Sequence, residues 1–399
     1  MPPRCDRISE LPESLLTHIL SYLPTKHSVK TSVLSTRWKN LWLNVPALDL
    51  NCEDFPYKEE EEEAVLGFLD RLLEFEPGSR LLKVKVKCGN VEIKGLKDRI
   101  STVIHRGPQV LDVESCTKYL DPDTETYYPY LEFMPLNLYT SKTLVSLKLT
   151  YSGVEDPPGF VCMPCLKSMT LVQVHFRDDS SLERLVSGCP LLEELTLIRD
   201  IHSCFVGEVD RFMSVRSGSL KRFRVPLWYG LSCSSQSSAK CRLEIDAPGL
   251  EHMILGEDQF DSIVVQKKLT SLFMVDLNIK FGELFLYGIS SVGHMIISEK
   301  TLKEVVYFRE EEDALELTNV PQCFLSTLEC VALKRIHDWE EEEMRVATYF
   351  LENAAVLKKL TLSLTDYPRL ISDEEIFEEV NKVTKRSPTC QILPDWELC

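Results

Sequence analysis

The sequence predicts an α/β chain: three short helices over residues 1–50, an irregular solenoid of strand-and-return repeats over residues 51–320, and a module over residues 321–399 that continues the solenoid. Two patterns predict it. In the first fifty residues a 3.6-period apolar stripe stops at a proline and gives way to a second short apolar face and two tryptophans. From residue 81 onward a six-residue phrase, apolar at its first, fourth and sixth positions, returns repeatedly. The 399-residue length allows roughly two to three domains, and a hydrophobic content of 44% is ordinary for a chain that buries a core.

The N-terminal stripe is Leu15, Leu16, Ile19, Leu20 and Leu23; it opens after Pro12 and meets Pro24, which cannot continue a helix. Val29, Val33 and Leu34 form a second apolar face, and Ser35 is placed to cap a third helix carrying Trp38, Leu41 and Trp42. About fifty residues bury only a modest fraction of their surface, so some of these side chains must face a partner. In their order, Leu11-Pro12 with Leu15-Leu16, Ile19-Leu20, Val33-Leu34-Ser35 and Arg37-Trp38 through Leu41-Trp42, they closely resemble the F-box. The segment departs from related plant sequences at His27-Ser28, where an acidic or small pair is usual. F-boxes dock onto the Skp-type adaptor of cullin ubiquitin ligases. The resemblance therefore implies an adaptor-binding surface drawn from Leu11, Pro12, Leu15, Leu16, Ile19, Leu20, Val33, Leu34 and Trp38, each buried leucine contributing on the order of 1.5–3 kcal/mol.

The six-residue phrase reads Leu81-Val84-Val86, a weaker Pro108-Leu111-Val113, Leu144-Leu147-Leu149, Leu166-Met169-Leu171, Leu192-Leu195-Leu197, Leu220-Phe223-Val225, Leu250-Met253-Leu255, Leu269-Leu272-Met274, Leu302-Val305-Tyr307, Leu328-Val331-Leu333 and Leu357-Leu360-Leu362. This is the strand phrase of a leucine-rich repeat. Starts at 144, 166 and 192 lie 22 and 26 residues apart, whereas 108 to 144 is 36, so the array carries inserted loops. Positions four and six point inward on a strand, and each connector is expected to return as a helix. One connector shows the pattern: Leu182, Leu185 and Val186 make a helical face, Gly188 suits its C-terminal cap, and Pro190 follows.

The last eighty residues repeat the scheme with stronger helices. Glu340 to Glu343 suit a helix N-terminus ahead of Met344, Ala347, Phe350, Leu351 and Ala354, and Ser372 with Glu375 reads as a capping box ahead of Ile376, Phe377, Val380 and Val383. Pro321-Gln322-Cys323 with Leu325-Ser326 and Leu328, Glu342, Met344, Tyr349 through Ala354, Leu357-Lys358-Lys359-Leu360 and Ser387-Pro388-Thr389-Cys390 are similar to the FBD module. F-box, leucine-rich repeats and FBD in this order resemble the plant F-box/LRR/FBD family. The resemblance implies a substrate-recognition subunit of an SCF-type cullin-RING ubiquitin ligase, bound to a Skp-type adaptor and through it to cullin, with an unknown protein target on the repeats.

Composition narrows the partners. A net charge of −17 repels phosphate backbones, so nucleic acid is not expected as a partner. No stretch has the roughly 18–20 apolar residues of a membrane span, and charges at Arg4, Asp6, Arg7 and Glu10 oppose a signal peptide, so no membrane and a cytoplasmic or nuclear location are expected. Cys399 is the last residue, which leaves no prenylation box. The 14 cysteines show no spaced framework. Cys162-Met163-Pro164-Cys165 has redox or half-zinc spacing, but no second pair matches it, and the 8 histidines make no i, i+4 ligand pair. No catalytic residue, metal or cofactor is predicted. Three classes of function remain: ligase adaptor, F-box scaffold acting outside a ligase, and a thiol oxidoreductase resting on the cysteine pair. Adaptor and cullin binding separate the first two; dispensability of the cysteines removes the third.

The outward strand positions indicate where a target binds. They are polar early, at Ser146, Lys148, Thr150, Ser168, Thr170, Glu194 and Thr196, and apolar later, at Ile254, Phe273, Val275, Val306 and Phe308. Exposed apolar patches mark binding surfaces, so these five residues are the expected target anchors unless an insert between 276 and 300 folds over them.

Overall fold

The computed structural model describes residues 7–8, 10–54, 61–74, 81–88, 95–115, 119–121, 126–128, 132–155, 159–199, 211–226, 241–256, 260, 262–279, 291–298, 301, 322–336, 341–364 and 372–394. They fall into two compact units, residues 1–192 with 199–203 and residues 193–198 with 204–399.

The first unit opens with helices α1 (Glu13–Leu20) and α2 (Thr25–Lys30), each entered from a proline, Pro12 and Pro24. The expected third helix is instead a turn between two 3₁₀ segments, Thr31–Val33 and Leu41–Asn44, with no cap from Ser35. Ser28 at the departing pair is buried and its hydroxyl donates to the Leu20 carbonyl at 3.0 Å, tying α2 to the end of α1. The sheet then begins earlier than the phrase at Leu81: β1 (Ala47–Asn51) lies parallel to β2 (Lys83–Lys87) with Leu48 opposite Val84 and Leu50 opposite Val86. Val45-Leu48-Leu50 is thus a first rung in the phrase's own spacing.

Between and beyond these strands lie α3 (Glu61–Glu74), α4 (Leu96–His105) and β3 (Val110–Glu114), then a hairpin of β4 (Tyr119–Asp121) and β5 (Thr126–Tyr128). Next come β6 (Glu132–Phe133), β7 (Ser146–Thr150), β8 (Ser152–Val154), β9 (Ser168–Phe176) and α5 (Ser180–Ser187). The parallel order is β1-β2-β3-β7-β9, with β8 joining the end of β9 to β6. Val84, Val86, Leu111, Val113, Leu147, Leu149, Met169 and Leu171, the fourth and sixth phrase positions, are all buried. Helix α5 buries Leu182, Leu185 and Val186 as its pattern requires. Gly188 caps it with φ −76°, so the glycine is not there for a left-handed backbone. It is there because Val161 lies so close that a Cβ would come within 2.3 Å of it.

The second unit carries β10 (Glu194–Arg199), β11 (Arg211–Arg216), β12 (Arg222–Val225), β13 (Cys241–Asp246), β14 (His252–Leu255), β15 (Ser262–Val265), β16 (Met274–Leu277) and β17 (His294–Ser298). It ends with α6 (Gln322–Ser326), β18 (Cys330–Ile336), α7 (Glu341–Asn353), β19 (Lys359–Leu364), α8 (Asp373–Lys382) and β20 (Gln391–Pro394). The main parallel order here is β10-β12-β14-β16-β17-β18-β19-β20. Three successive connectors return not as helices but as the strands of a second parallel sheet, β11-β13-β15. Their sequences explain the change: Phe212-Met213-Ser214-Val215, Leu243-Glu244-Ile245 and Ile263-Val264-Val265 favour strands by their β-branched and aromatic content. The two late helices follow expectation. Helix α7 buries Val346, Ala347, Phe350 and Leu351, and α8 has a complete Ser372–Glu375 capping box over buried Ile376 and Val380.

One phrase position is corrected. The run Leu269, Leu272, Phe273, Met274, Val275, Leu277 fits the phrase in two registers three residues apart. The structure takes Leu272-Val275-Leu277, with Val275 opposite Met253 and Leu277 opposite Leu255. The alternative would turn Asp276 inward, and an unpaired carboxylate is costly to bury. The backbone marks the choice: the Glu251 carbonyl accepts from the N–H groups of both Phe273 and Met274, as Val145 does from Lys167 and Ser168 one rung apart earlier. The next described rung is Val292-Met295-Ile297, entering β17, which pairs directly with β16 and β18. The expected phrase Leu302-Val305-Tyr307 lies outside the described residues.

Candidate docking surfaces

Helix α1 carries two adjacent i, i+4 apolar pairs, and only one can face the small bundle. Leu16 and Leu20 do so, making a core with Trp38, Leu41 and Val45 against which Leu11 and Ala47 pack. Leu15 and Ile19 stand about 100° round the helix and are 48% and 45% exposed. Val33 and Leu34, in the turn after α2, are 87% and 65% exposed. Pro12 is exposed at the head of α1, where its carbonyl accepts from the Leu15 and Leu16 N–H groups. The nine residues inferred from the F-box resemblance therefore divide: Leu16, Leu20 and Trp38 are core and are withdrawn from the docking surface, Leu11 is half-buried against that core, and Pro12, Leu15, Ile19, Val33 and Leu34 are presented to solvent. Ile8, Tyr22 and Leu23 are exposed too, and sequence reasoning left them off the docking set. Tyr22 has a readable signal, since it lies i+4 from His18 and stacks edge-on with it at 5.3 Å.

The outward faces of the main strands differ between the units. In the first, Asp49, Lys85, Asp112 and Lys148 stand opposite one another on four neighbouring strands. Lys85–Asp49 at 3.9 Å, Lys148–Asp112 at 3.8 Å and Lys87–Glu114 at 3.7 Å neutralise this face from within. In the second unit one registered row runs His252, Met274, His294, Cys330, Lys359, and the next runs Ile254, Asp276, Ile296, Ala332, Thr361.

Of the expected target anchors, Ile254 is half-buried on the outward row and Phe273 is 49% exposed. Phe273 is not a strand residue; it precedes β16 and lies between His294, at 4.6 Å between ring centroids, and His252, at 6.5 Å. Gly293 makes room for the ring, because a Cβ there would sit 3.1 Å from the Phe273 Cε2 atom. Val275 is corrected: it is fully buried by the register shift described above and cannot touch a target. Val306 and Phe308 lie outside the described residues. Met274 stands outward where the expected register turned it inward, and Ile296 stands outward where an insert was expected. A shallow groove of about 620 Å³ follows this face, lined by Met274, His294, Ile296, Cys330, Lys359 and Thr361. The insert expected between 276 and 300 contributes the strand β17 to it.

Cys162 and Cys165 are free thiols on either side of fully buried Met163. Burial pushes the nearby Cys189 thiol up to about 12, with the charge of Cys162 adding to it, and burial pushes Cys323 up to about 11. That is opposite to the depressed thiol that nucleophilic chemistry needs. Among the described residues no cluster of three His, Cys, Asp or Glu is placed to hold a metal, and no helix is long and apolar enough to cross a membrane.

Family comparisons agree with this layout. The F-box domain matches residues 8–48, the LRR repeats of the FBD-associated F-box protein At5g56370 match 120–276, and the FBD matches 316–362. The FBD-associated F-box protein At5g27750 of Arabidopsis thaliana is 50% identical, covering 99% of this chain and 100% of its own length. The F-box/FBD/LRR-repeat proteins At1g13780 and At2g26030 of the same plant are 48% and 40% identical, each over 98% of this chain and 98% and 99% of their own lengths.

Proposed function

The chain belongs to the plant F-box/FBD/LRR-repeat family, and on that premise we propose that it is the non-catalytic substrate-recognition subunit of an SCF-type cullin-RING ubiquitin ligase. The observation that carries the proposal is the division of the N-terminal apolar residues, one set closing the bundle core and another left open to solvent. A bundle this small gains nothing by exposing Leu15, Ile19, Val33 and Leu34 on its own. Covering what remains exposed of the four by a Skp-type adaptor contributes on the order of 4–7 kcal/mol, within the roughly 4–15 kcal/mol range that association costs in lost freedom. The repeats then hold the target, and the adaptor brings cullin.

Leu15→Glu with Ile19→Glu places charge on the open face and leaves the Leu16–Leu20 core untouched. Co-purification of the Skp-type adaptor is expected to be lost while the melting temperature stays within about 2 °C of the wild type, since surface changes usually cost under about 0.5 kcal/mol. Undiminished adaptor binding by this variant would contradict the proposal. Adaptor binding by the wild type without recovery of cullin would instead favour a scaffold acting outside a ligase.

A further inference from the structure

The proposed function leaves open what chemistry the repeats select, and the outward face of β12–β19 narrows it. We infer that this face takes an acidic segment of the target, extended across the strands, with apolar side chains on Phe273, Met274 and Ile296 and carboxylates on Arg224 and Lys359. The inference rests on reading the repeats as the target-binding surface.

The charge pattern is the first support. The chain carries −17 overall, yet on the two outward rows, which continue from His252 to Arg222 and Glu194 and from Ile254 to Arg224 and Thr196, both carboxylates are already neutralised, Glu194 by Arg222 and Asp276 by Lys334 at 3.8 Å. Beside the Phe273 end of the strands, Glu329 is held by Lys358 at 2.8 Å, and half-buried Glu251 is offset by exposed Lys221 at the start of the adjoining strand. Arg224 and Lys359 are exposed and form no ion pair with a described residue. The face is thus cationic in a protein whose net charge is −17, and an acidic ligand meets attraction there against the repulsion of that net charge.

Spacing is the second support. Arg224 stands on β12 and Lys359 on β19, five strand spacings apart in the order β12-β14-β16-β17-β18-β19. At about 4.8 Å per spacing that is roughly 24 Å, which an extended peptide spans with about seven residues. The intervening strands present the half-exposed Phe273 between its two histidines, then Met274, Ile296 and Ala332 along the groove. The matching ligand has acidic residues about seven apart with apolar residues between them.

The test is a selection of random displayed dodecapeptides on the full chain, with adaptor co-purification scored separately so that failure of the ligase reading stays distinguishable. Enriched peptides are expected to carry acidic residues on both sides of an apolar centre. Their affinity should fall about tenfold or more in R224E/K359E, two exposed sites whose reversal replaces attraction with repulsion, and should hold in K382E, an exposed control in the last turn of α8. Melting of the double variant should match the wild type. Enrichment of basic or neutral peptides, acidic peptides indifferent to R224E/K359E, no enrichment at all, or occupancy by the acidic runs of a second copy, seen as concentration-dependent mass in light scattering, would each overturn the inference.

Discussion

Phe273 and Val275 are two residues apart and of similar hydrophobicity, yet a registered strand gives them opposite duties. Val275→Ala should cost about 2 kcal/mol, from lost transfer free energy and the cavity left in a fully buried site; urea unfolding checks it. Phe273→Glu should leave the unfolding midpoint nearly unchanged and weaken capture of the selected peptides; a large fall in stability would place the ring in a core instead. The cysteines divide by the same logic. Exposed Cys165 should react with a maleimide at pH 8, whereas Cys189 and Cys323, whose thiols are held up at about 12 and about 11 by burial, should react only after denaturation. A raised folded-state thiol means the buried neutral form supports folding below its ordinary value of 9.0, and that support is lost as pH rises above it. Peptide mapping by mass spectrometry reads both outcomes.

At the level of the element, what was legible depended on whether a signal was local. The capping box at Ser372 and Glu375 is written in four consecutive residues, and it forms, with the Ser372 N–H and hydroxyl both held by the Glu375 carboxylate. Those two bonds hold the Glu375 carboxyl below its ordinary 4.5, so its contribution is present above that value and fades as pH falls below it. Ser372→Ala should destabilise α8 by about 1 kcal/mol and return the Glu375 titration, followed by NMR, toward 4.5. Other features needed non-local information. The double stripe of α1 announces two apolar faces, but which pair is core depends on Trp38, Leu41 and Val45 arriving from later in the chain. The register of β16 was ambiguous because an apolar run satisfies the phrase twice, and only the fate of Asp276 against the neighbouring strands decides it. The second sheet was missed because its strands lie in connectors where a helix is the default expectation.

At the scale of the whole chain, the first rung joins the F-box to the solenoid. Val45 belongs to the F-box core, and three and five residues later Leu48 and Leu50 sit opposite Val84 and Val86 as a repeat rung. The Thr25 hydroxyl accepts the Asp49 N–H at 2.9 Å, and Lys26 pairs with Asp54 at 2.7 Å, so α2 is fastened to the middle of that rung and again to the 3₁₀ segment Cys52–Asp54 that follows β1. A boundary drawn at residue 50 therefore cuts through structure. A chain beginning at residue 44 removes both helices and the exposed apolar residues Leu15, Ile19, Val33 and Leu34 but keeps β1; one beginning at residue 52 also strips β1 and leaves the β2 edge unpaired. Loss of Leu48 and Leu50 alone forfeits on the order of 3–6 kcal/mol of burial, and a bare strand edge invites association. The shorter chain should melt several degrees lower and elute partly as aggregate in size-exclusion chromatography, while the longer one stays monomeric and still binds the selected acidic peptides. Equal melting of the two would show that β1 serves the F-box alone, and trapping a target with an F-box-deleted chain would then tolerate either cut.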